Sequence, residues 1–417
     1  MSGIFNGLKK LSLPQRIVIG LILGTLLGIF LPQAKWIGIF GTLFVGALKS
    51  IAPLLVFILI ISSLARSQGG FDRRFGFVIF EYMLSTFLAA LLAVVASFLY
   101  PVKITLQAAA TQSAPGGVRE ILEKQLQGVV CNPIQAIAEA NYLSILFWAI
   151  IIGMLMKKIA SPETHRMLHD FSNVISQLVS WIINLAPLGI MGLVFTSVSE
   201  SGLSVFVTYG KLLLILVGCM LATALILNPL LVFLILRRNP YPLVFRCIRE
   251  SAVTAFFTRS SAANIPVNMR LCERLGLDKD FYSVSIPLGS TINMDGAAVT
   301  ITVMTLAAAH TMGIAMTPGR ALMLSVLASA AACGASGVAG GSLLLIPMAC
   351  SIFGVSSEIA MQVVGVGFVI GVIQDSVETA INSSGDAIFT AAAEYAHWKK
   401  IGKSLPKFLG GETETEI

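Results

Sequence analysis

The stretch of sequence that decides the fold is Asp375-Ser-Val-Glu-Thr-Ala-Ile-Asn-Ser-Ser-Gly-Asp386. Four of its polar residues lie on one face of an α-helix: Asp375, Thr379, Asn382 and Asp386. Residues 361–374 and 387–393 are almost entirely apolar, so this polar face lies within a segment that crosses a membrane. A carboxylate at the centre of a bilayer costs roughly 3 kcal/mol or more, so we expect the face to line a cavity and to meet a compensating cation.

The composition is that of a membrane protein rather than a water-soluble one. Hydrophobic residues make up 56% of the 417-residue chain and charged residues 12%, and a soluble fold could not bury so much apolar side chain. The apolar runs have the length of helices and lack the alternation of barrel strands, which predicts an all-α polytopic membrane protein. The net charge of +7 is spread over short basic clusters between these runs, so it indicates topology and not nucleic-acid binding.

The sequence argues against several other chemical roles. The six cysteines are scattered without a C-x-x-C pair, so neither a disulfide framework nor a metal-thiolate site is expected. Spans contain no Ser-His or H-E-x-x-H arrangement and the chain has no nucleotide-binding loop, which disfavours an enzyme or a directly driven pump. We expect no organic cofactor. Gly20-x-x-x-Gly24-x-x-x-Gly28 has no polar neighbours and predicts only a packing seam.

Eight apolar windows are long enough to cross a bilayer, for which about 20 residues suffice. They lie near residues 16–32, 36–65, 77–100, 142–159, 170–197, 205–236, 282–311 and 358–394. A cytoplasmic N-terminus puts the basic clusters that follow the second, fourth and sixth windows on the cytoplasmic side, as the positive-inside bias requires. The lysines after the last window then lie there too, so both termini are predicted to be cytoplasmic.

Two further segments are predicted to enter the membrane and return on the same side. Residues 243–272 are too polar to span and carry basic residues at both ends. Residues 321–354 are apolar but are broken by a glycine-rich run at 333–342, which leaves halves of about a dozen residues, each too short to cross. Each hairpin precedes a span, and opposed repeats of this kind are typical of secondary transporters.

The seventh window is interrupted by Asn293-Met294-Asp295-Gly296. A polar kink that joins helices is the structural alternative, but an aspartate is too costly in lipid for that role alone. Gly289 and Gly296 would let the backbone unwind and turn carbonyl groups toward an ion. The break therefore predicts a cation site, and the small residues at the hairpin tips predict gates that approach a substrate.

These motifs, in this order, resemble the dicarboxylate/amino acid:cation symporter family, which includes the glutamate transporters. The resemblance rests on Thr258-Arg259-Ser260-Ser261, Asn293-Met294-Asp295-Gly296, Ser336-Gly337-Val338-Ala339-Gly340 and the stripe from Asp375 to Asp386. Ser285-Ile286-Pro287-Leu288-Gly289 and Asp375-Ser376-Val377-Glu378-Thr379 look like its bacterial serine/threonine:sodium symporters. The resemblance implies a glutamate transporter-like fold with eight transmembrane helices and two re-entrant hairpins in inverted repeats.

The resemblance also implies sodium sites built from oxygen atoms, which suit hard cations. The first would use the Asp386 side chain with the carbonyl groups of Gly289, Asn293 and Asn382. The second would lie between Thr291, Met294 and the carbonyl groups of Ala332, Cys333 and Ala335. The third would use Tyr82, Ser85, Thr86, Asn293 and Asp295.

The substrate contacts are likewise implied by the resemblance. The backbones of Ser261 and Val338 with the Asn382 amide would bind the α-carboxylate beside Ser260, Asp375 would bind the ammonium, and Thr379 would meet a hydroxyl. Glutamate-type relatives have an arginine where this chain has Glu378, and two like charges at 4 Å cost about 4 kcal/mol at an effective dielectric of 20. Glu378 therefore predicts exclusion of acidic substrates unless it is protonated, and Arg259 is expected to neutralise Glu378 or Asp375.

We therefore predict a sodium-driven importer of small neutral amino acids, serine and threonine first, in the bacterial inner membrane. The alternative is a sodium- or proton-coupled carrier of acidic amino acids or dicarboxylates, and a third possibility is an ion channel, for which currents would exceed substrate flux. The family implies a homotrimer in membrane lipid with an elevator-type movement.

The predicted division of the chain follows these segments. It is 1–76 for scaffold helices 1 and 2, 77–141 for helix 3 and an external loop, 142–204 for scaffold helices 4 and 5, 205–242 for helix 6, 243–311 for the first hairpin and broken helix 7, 312–396 for the second hairpin and helix 8, and 397–417 for a cytoplasmic tail.

Overall fold

The computed structural model describes residues 11, 13–66, 73–104, 130–139, 141–333, 335 and 340–412. Throughout these residues the chain forms helices and no β-strand. An apolar chain in a bilayer must satisfy its backbone hydrogen bonds within each segment, which helices do. The all-α prediction is confirmed.

The N-terminal half contains nine helices within the described residues. They are α1 Leu13–Phe30, α2 Gly38–Arg66, α3 Arg73–Leu99, α4 Pro133–Ala138, α5 Tyr142–Ile159, α6 Pro162–Asn184, α7 Ala186–Ser201, α8 Ser204–Ala222 and α9 Asn228–Leu236. A π-helical turn at Thr223–Leu227 joins α8 to α9 without a break. The small residues of α1 allow it to pack closely on α7, because a Cβ atom at Gly20 or Gly24 would lie 2.2 or 2.4 Å from a carbonyl oxygen of that helix. The predicted packing seam is therefore confirmed.

The C-terminal half continues with shorter, interrupted helices. They are α10 Tyr241–Cys247, α11 Val253–Thr258, α12 Ser261–Arg274, α13 Lys279–Ile292, α14 Asp295–Thr311, α15 Pro318–Ala332, α16 Ile346–Ser351 and α17 Ser357–Lys400. A second π-helical turn, Ile248–Ala252, joins α10 to α11. The 44-residue α17 is buried along most of its length, so it forms the centre around which this half is packed.

Helices occupy all eight windows predicted from the sequence. Within the described chain, five segments are long and apolar enough to cross a bilayer: Lys35–Ser62, Arg74–Leu99, Ser204–Leu236, Lys279–Thr311 and Ser357–Lys400. The pair α6 and α7 makes a sixth if it is taken as one span. Helices α1 and α5 fill the remaining two windows.

The fifth window differs from the prediction of one span over residues 170–197. Helix α6 ends at Asn184, and α7 continues at an angle of 51°. Pro187 lies in the first turn of α7, where its missing N–H costs nothing, whereas in a continuous helix its ring would clash with the carbonyl group four residues earlier. The proline therefore explains why the chain bends at this point.

Both predicted hairpins are present. In the first, α10 and α11 run to a tip at Arg259, whose left-handed backbone (φ 51°) reverses the chain into α12. In the second, α15 runs to a tip from which the chain returns through Gly340 (φ 70°), a 3₁₀ turn at Gly341–Leu345 and α16. Residues 334 and 336–339 of this tip, among them Val338, lie outside the described residues.

Residues after α17 fold back onto the bundle. Leu405 and Leu409 are buried, and the Phe408 ring lies 4.0 Å from the guanidinium of Arg246 on α10. Lys403 lies 3.4 Å from the Trp398 ring. Within the segment predicted as a tail over 397–417, the residues through Leu409 therefore pack back onto the bundle, with Phe408 against the base of the first hairpin.

Candidate cation and substrate site

The break predicted at residues 293–296 is present between α13 and α14. Asn293 and Met294 leave the helical conformation, with ψ angles of 85° and 49°. Gly289 and Gly296 serve close approach rather than the unwinding that the sequence suggested. A Cβ at Gly296 would lie 2.8 Å from the Glu378 Cα, and one at Gly289 would lie 2.8 Å from an Asp386 carboxylate oxygen. The break is thus pressed directly against the polar stripe of α17.

Asp386 lies beside this break with one carboxylate oxygen unpaired. Its Oδ1 accepts a hydrogen bond from Asn293 Nδ2 at 3.0 Å, and the same amide donates to the Asn382 carbonyl at 3.0 Å. Asp386 is 1% exposed. Among the described residues, its Oδ2 and Asn293 Oδ1 have no hydrogen-bond partner. Two buried oxygens without partners at one place are the donors a hard cation requires.

The Tyr82 side chain belongs to this Asp386 cluster. Its hydroxyl lies 3.2 Å from the Asp386 carbonyl, 3.3 Å from the Ser285 carbonyl and 2.9 Å from Thr390 Oγ1. The sequence grouped Tyr82 and Asn293 with Asp295 instead. In the structure the hydrogen bonds of the Tyr82 and Asn293 side chains go to α13 and α17, whereas Ser85 and Thr86 bond Asp295 at the start of α14.

Asp295 begins α14 and is enclosed by side-chain donors. Its Oδ2 accepts from Ser85 Oγ at 2.8 Å, and its Oδ1 accepts from Thr86 Oγ1 at 3.2 Å. Thr86 Oγ1 also accepts a hydrogen bond from the Met294 N–H at 3.2 Å. Ser85, Thr86 and Asp295 therefore form the predicted group of oxygens, which ties α3 to the break.

Asn228 completes this Asp295 group and was missed by the sequence reasoning. Its Nδ2 donates to Asp295 Oδ2 at 3.0 Å, and its Oδ1 accepts from Ser85 Oγ at 3.0 Å. Asn228 follows directly after the π-helical turn at Thr223–Leu227, and such turns are frequent at functional sites. An amide inside an apolar run, next to Pro229, was the signal that could have identified it.

If the Asp295 group binds a cation, as the sequence predicts, we expect Asn228→Ala to weaken that binding about tenfold, because residues that orient a metal ligand typically contribute a factor of ten or more. The measurement is the sodium concentration that half-saturates the response of the purified protein to sodium, such as its thermal shift or its sodium activation. Asn184→Ala is the matched control, since Asn184 is exposed and bonds only to a carbonyl of its own helix in the described structure. Equal sodium activation in both variants would contradict the role of Asn228.

Asp375 lies between the two hairpin tips. Its Oδ2 accepts from Arg259 Nε at 2.7 Å, and both side chains are largely buried. Its Oδ1 lies 3.4 Å from the Gly340 N–H of the second hairpin. The expectation that Arg259 pairs with Glu378 or Asp375 is therefore resolved in favour of Asp375.

The Glu378 carboxylate is held by hydroxyl and amide donors. Its Oε2 accepts from Thr300 Oγ1 at 2.7 Å, Ser342 Oγ at 2.8 Å and Gln374 Nε2 at 2.5 Å. Gln374 Nε2 donates in addition to Thr300 Oγ1 at 2.8 Å. These three donors were not foreseen from the sequence, which treated Glu378 as a charge facing the substrate.

The side chains of the remaining predicted substrate residues also have partners within the protein. Ser260 Oγ accepts from the Ala263 N–H and so caps α12, with Ser261 as the first residue of that helix. Thr379 Oγ1 donates to the Asp375 carbonyl at 2.8 Å. Asn382 Oδ1 accepts from the Gly296 N–H at 2.7 Å, and its Nδ2 lies 3.4 Å from Met294 Sδ. Asn382 is therefore bonded to the break.

At the second predicted sodium site, the end of α15 lies beside the break between α13 and α14. Cys333 Sγ lies 3.6 Å from the Ile292 carbonyl, and the Ala335 N–H donates to the Ala332 carbonyl at 2.9 Å. Thr291 Oγ1 donates to the Leu288 carbonyl at 2.7 Å. These contacts place the carbonyl-rich end of the hairpin beside residues 291–294.

Two asparagine side chains of α12 connect the first hairpin to α17 by hydrogen bonds. Asn264 Nδ2 donates to Ser383 Oγ at 2.7 Å and to Ser251 Oγ at 2.9 Å. Asn268 Nδ2 donates to the Ser383 carbonyl at 2.8 Å. These bonds join α12 to α17 directly and join the other arm of the hairpin to α12 through Ser251, so the network connects the whole hairpin to α17.

The ends of the two hairpins and the broken helix thus meet the acidic stripe of α17 in one buried region. Comparison with known proteins shows that the model of the sodium:dicarboxylate symporter family matches residues 13–395. The chain belongs to this family. Membership confirms the predicted glutamate transporter-like fold and identifies the protein as a multi-pass membrane transporter.

Two relatives are similar over nearly their whole length. A protein from Bifidobacterium adolescentis named serine/threonine transporter is 57% identical over 415 residues, which cover 99% of this chain and 96% of the relative. A protein of the same name from Streptococcus agalactiae serotype III is 56% identical over 396 residues, which cover 94% of this chain and 98% of the relative.

Proposed function

We propose that this protein is a sodium-driven importer of small neutral amino acids, with serine and threonine as its preferred substrates. The observation that carries the proposal is the position of Asp375, which is buried between the two hairpin tips one helical turn before Thr379. A carboxylate and a hydroxyl at this spacing suit the ammonium and the side-chain hydroxyl of such a substrate. The names of the two relatives support this substrate class.

The surroundings of Asp375 favour a neutral side chain in the substrate. The Arg259 guanidinium is already paired with Asp375. A second substrate carboxylate would therefore have to break an ion pair that is largely buried, which is costly. One observation favours the alternative of an acidic substrate: Arg259 Nη1 is buried and has no hydrogen-bond partner among the described residues. The competition experiment below decides between the two.

Sodium is proposed as the coupling ion because the site contains oxygens without partners. Asp386 Oδ2 and Asn293 Oδ1 are buried and have no donor in the described structure. Leaving a charged oxygen in this state is expensive, and a bound cation removes the cost. Asp295 with Ser85 and Thr86 offers a second group of oxygens in the same part of the molecule.

Ion and substrate binding are proposed to be coupled through two amides. Asn293 Nδ2 bonds both Asp386 and the Asn382 carbonyl, and Asn382 is one turn from Thr379 on α17. An ion at Asp386 would therefore fix the part of the stripe that receives the substrate. Because linkage is reciprocal, sodium should raise substrate affinity by the same factor by which substrate raises sodium affinity.

The larger architecture is proposed from the family resemblance. Three copies would assemble in the inner membrane with cytoplasmic termini, and helices α1, α2, α5, α6 and α7 would form the static scaffold. The remaining helices, namely α3, α8, α9, the two hairpins, the broken helix and α17, would carry substrate and ions across as one rigid unit, with the second hairpin as the outer gate. The pattern of contacts agrees with this division in one respect: both hairpins pack on α17.

The test is uptake of labelled serine into proteoliposomes with an inward sodium gradient that is then collapsed by an ionophore. We expect accumulation above equilibrium only while the gradient is present. Unlabelled threonine should compete, whereas aspartate and succinate should not. Uptake that is indifferent to sodium, or that is blocked by aspartate, would overturn the proposal.

A further inference from the structure

Glu378 connects three separate parts of the chain through a single carboxylate oxygen. Thr300 comes from α14, Ser342 from the 3₁₀ turn that follows the tip of the second hairpin, and Gln374 from α17 itself. All four side chains are buried. We call Glu378, Thr300, Ser342 and Gln374 the Glu378 hub.

The hub fixes the return arm of the second hairpin close to its tip. Ser342 lies two residues after Gly340, whose left-handed backbone redirects the chain. The Gly340 N–H meets Asp375, and the Ser342 hydroxyl bonds Glu378 one turn further along α17. The return arm is therefore bonded to α17 at Asp375 and, one turn later, at Glu378. The hydrogen bond from Ser342 to Glu378 is shorter than the one from Gly340 to Asp375.

The hub also fixes the return arm relative to the broken helix. Thr300 Oγ1 is bonded to both Glu378 and Gln374, and the Glu378 backbone lies so close to Gly296 that a Cβ there would be 3.0 Å from its carbonyl oxygen. Movement of Glu378 would thus shift the cation-binding break and the hairpin together. Hydrogen bonds to a charged acceptor are among the stronger ones, and a buried acceptor that loses its donors is penalised.

We propose that Glu378 is a positioning residue that holds the return arm of the second hairpin, residues 340–345, against α17, and that it sets substrate affinity through Ser342 rather than by direct contact or repulsion. The proposal deepens the proposed function and rests on it for the identity of the substrate. A carboxylate that repels acidic substrates should face the space between the tips. Here the oxygen with known partners instead faces donors on α14, α17 and the hairpin.

The test is a double-mutant cycle in which serine uptake is measured for Glu378→Gln, Ser342→Ala and the double variant. We expect each single change to raise the KM for serine about tenfold with little change in maximal rate, because one hydrogen bond to a charged group is lost. The double variant should be no worse than the worse single variant, because both changes break the same link. Ser342→Thr keeps the hydroxyl and should restore the parental KM.

The matched control is Ser329→Ala, which removes a buried hydroxyl from the other arm of the same hairpin. Ser329 Oγ donates at 2.6 Å to the Ser325 carbonyl of its own helix, so its loss should leave KM unchanged. The hub would be overturned if the increase in KM of the double variant equalled the product of the increases caused by Glu378→Gln and Ser342→Ala alone. The hub would also be overturned if aspartate competed with serine in the Glu378→Gln variant but not in the Ser342→Ala variant. That result would indicate that Glu378 acts by charge repulsion.

A second readout does not depend on which substrate is transported. Cys333 lies at the end of α15 and is partly exposed, as is Cys131, whereas the other four cysteines are buried. In a Cys131→Ser background, the rate at which a membrane-impermeant maleimide labels Cys333 reports how readily the end of α15 moves away from the break between α13 and α14, where Cys333 Sγ lies 3.6 Å from the Ile292 carbonyl. We expect labelling several-fold faster in Ser342→Ala and Glu378→Gln than in Ser329→Ala. Absence of serine uptake by the parent protein would refute the proposed function but not the hub. Equal labelling rates in Ser342→Ala, Glu378→Gln and Ser329→Ala would refute the hub.

Discussion

Asp386→Ala is expected to abolish sodium-driven accumulation of serine. The carboxylate is buried, with one oxygen held by Asn293 and the other without a hydrogen-bond partner among the residues that the structure describes. Removing one charged partner from a buried pair costs roughly 3 kcal/mol or more, which corresponds to about a hundredfold loss of sodium affinity. The measurement is initial uptake as a function of sodium concentration in proteoliposomes.

Ser384→Ala is the control for this variant. Ser384 lies two residues away and is buried, but its hydroxyl donates to the Ala380 carbonyl of its own helix at 2.8 Å. Its loss should leave sodium activation within about twofold of the parent, as for a local bond of small net value. Parental sodium activation in Asp386→Ala would show that the unpaired oxygen binds no coupling ion.

Asp375→Asn is expected to remove serine binding while leaving sodium binding in the absence of serine almost unchanged. The amide keeps the size of the side chain but loses the charge that the substrate ammonium requires. Truncating one partner of a buried charge pair typically costs 2 to 5 kcal/mol, so we expect serine affinity to fall by about a hundredfold or more. Calorimetry or thermal-shift titrations of purified protein with serine, at saturating sodium, measure this directly.

Glu358→Gln is the matched control, because it makes the same chemical change on the same helix at an exposed position in the first turn. This control should bind serine as the parent does. Should Asp375→Asn retain full serine affinity, Asp375 would be only the partner of Arg259. Loss of sodium binding together with serine binding would instead indicate that the variant disturbs the Asp386 cluster.

The sequence was sufficient for the fold because the energetic cost of charge in lipid is large. Length and hydropathy located the helices, and the short glycine-broken halves of residues 321–354 required a hairpin. The same cost identified Asp295, Asp375 and Asp386 as residues that need partners. These inferences concern single segments, for which periodicity and composition are enough.

The sequence was insufficient where a side chain chooses a partner on another helix. Nothing within α3 shows that Tyr82 turns to Asp386 while Ser85 turns to Asp295, since the residues are less than one turn apart. Asn228 is separated from Asp295 by 67 positions, and only packing brings them together. Glu378 was assigned by its charge alone, and its donors on α14 and the second hairpin became visible only once those elements were placed.

Asp375 connects the two hairpins, so substitutions in one hairpin should affect which substitutions are tolerated in the other. Arg259 and Gly340 belong to different hairpins, yet both bond the same carboxylate. A substitution at one tip therefore changes the charge and position of the group on which the other tip depends. Epistasis between the two tips is the expected result, so residues tolerated at position 259 should differ according to the backbone conformation at position 340.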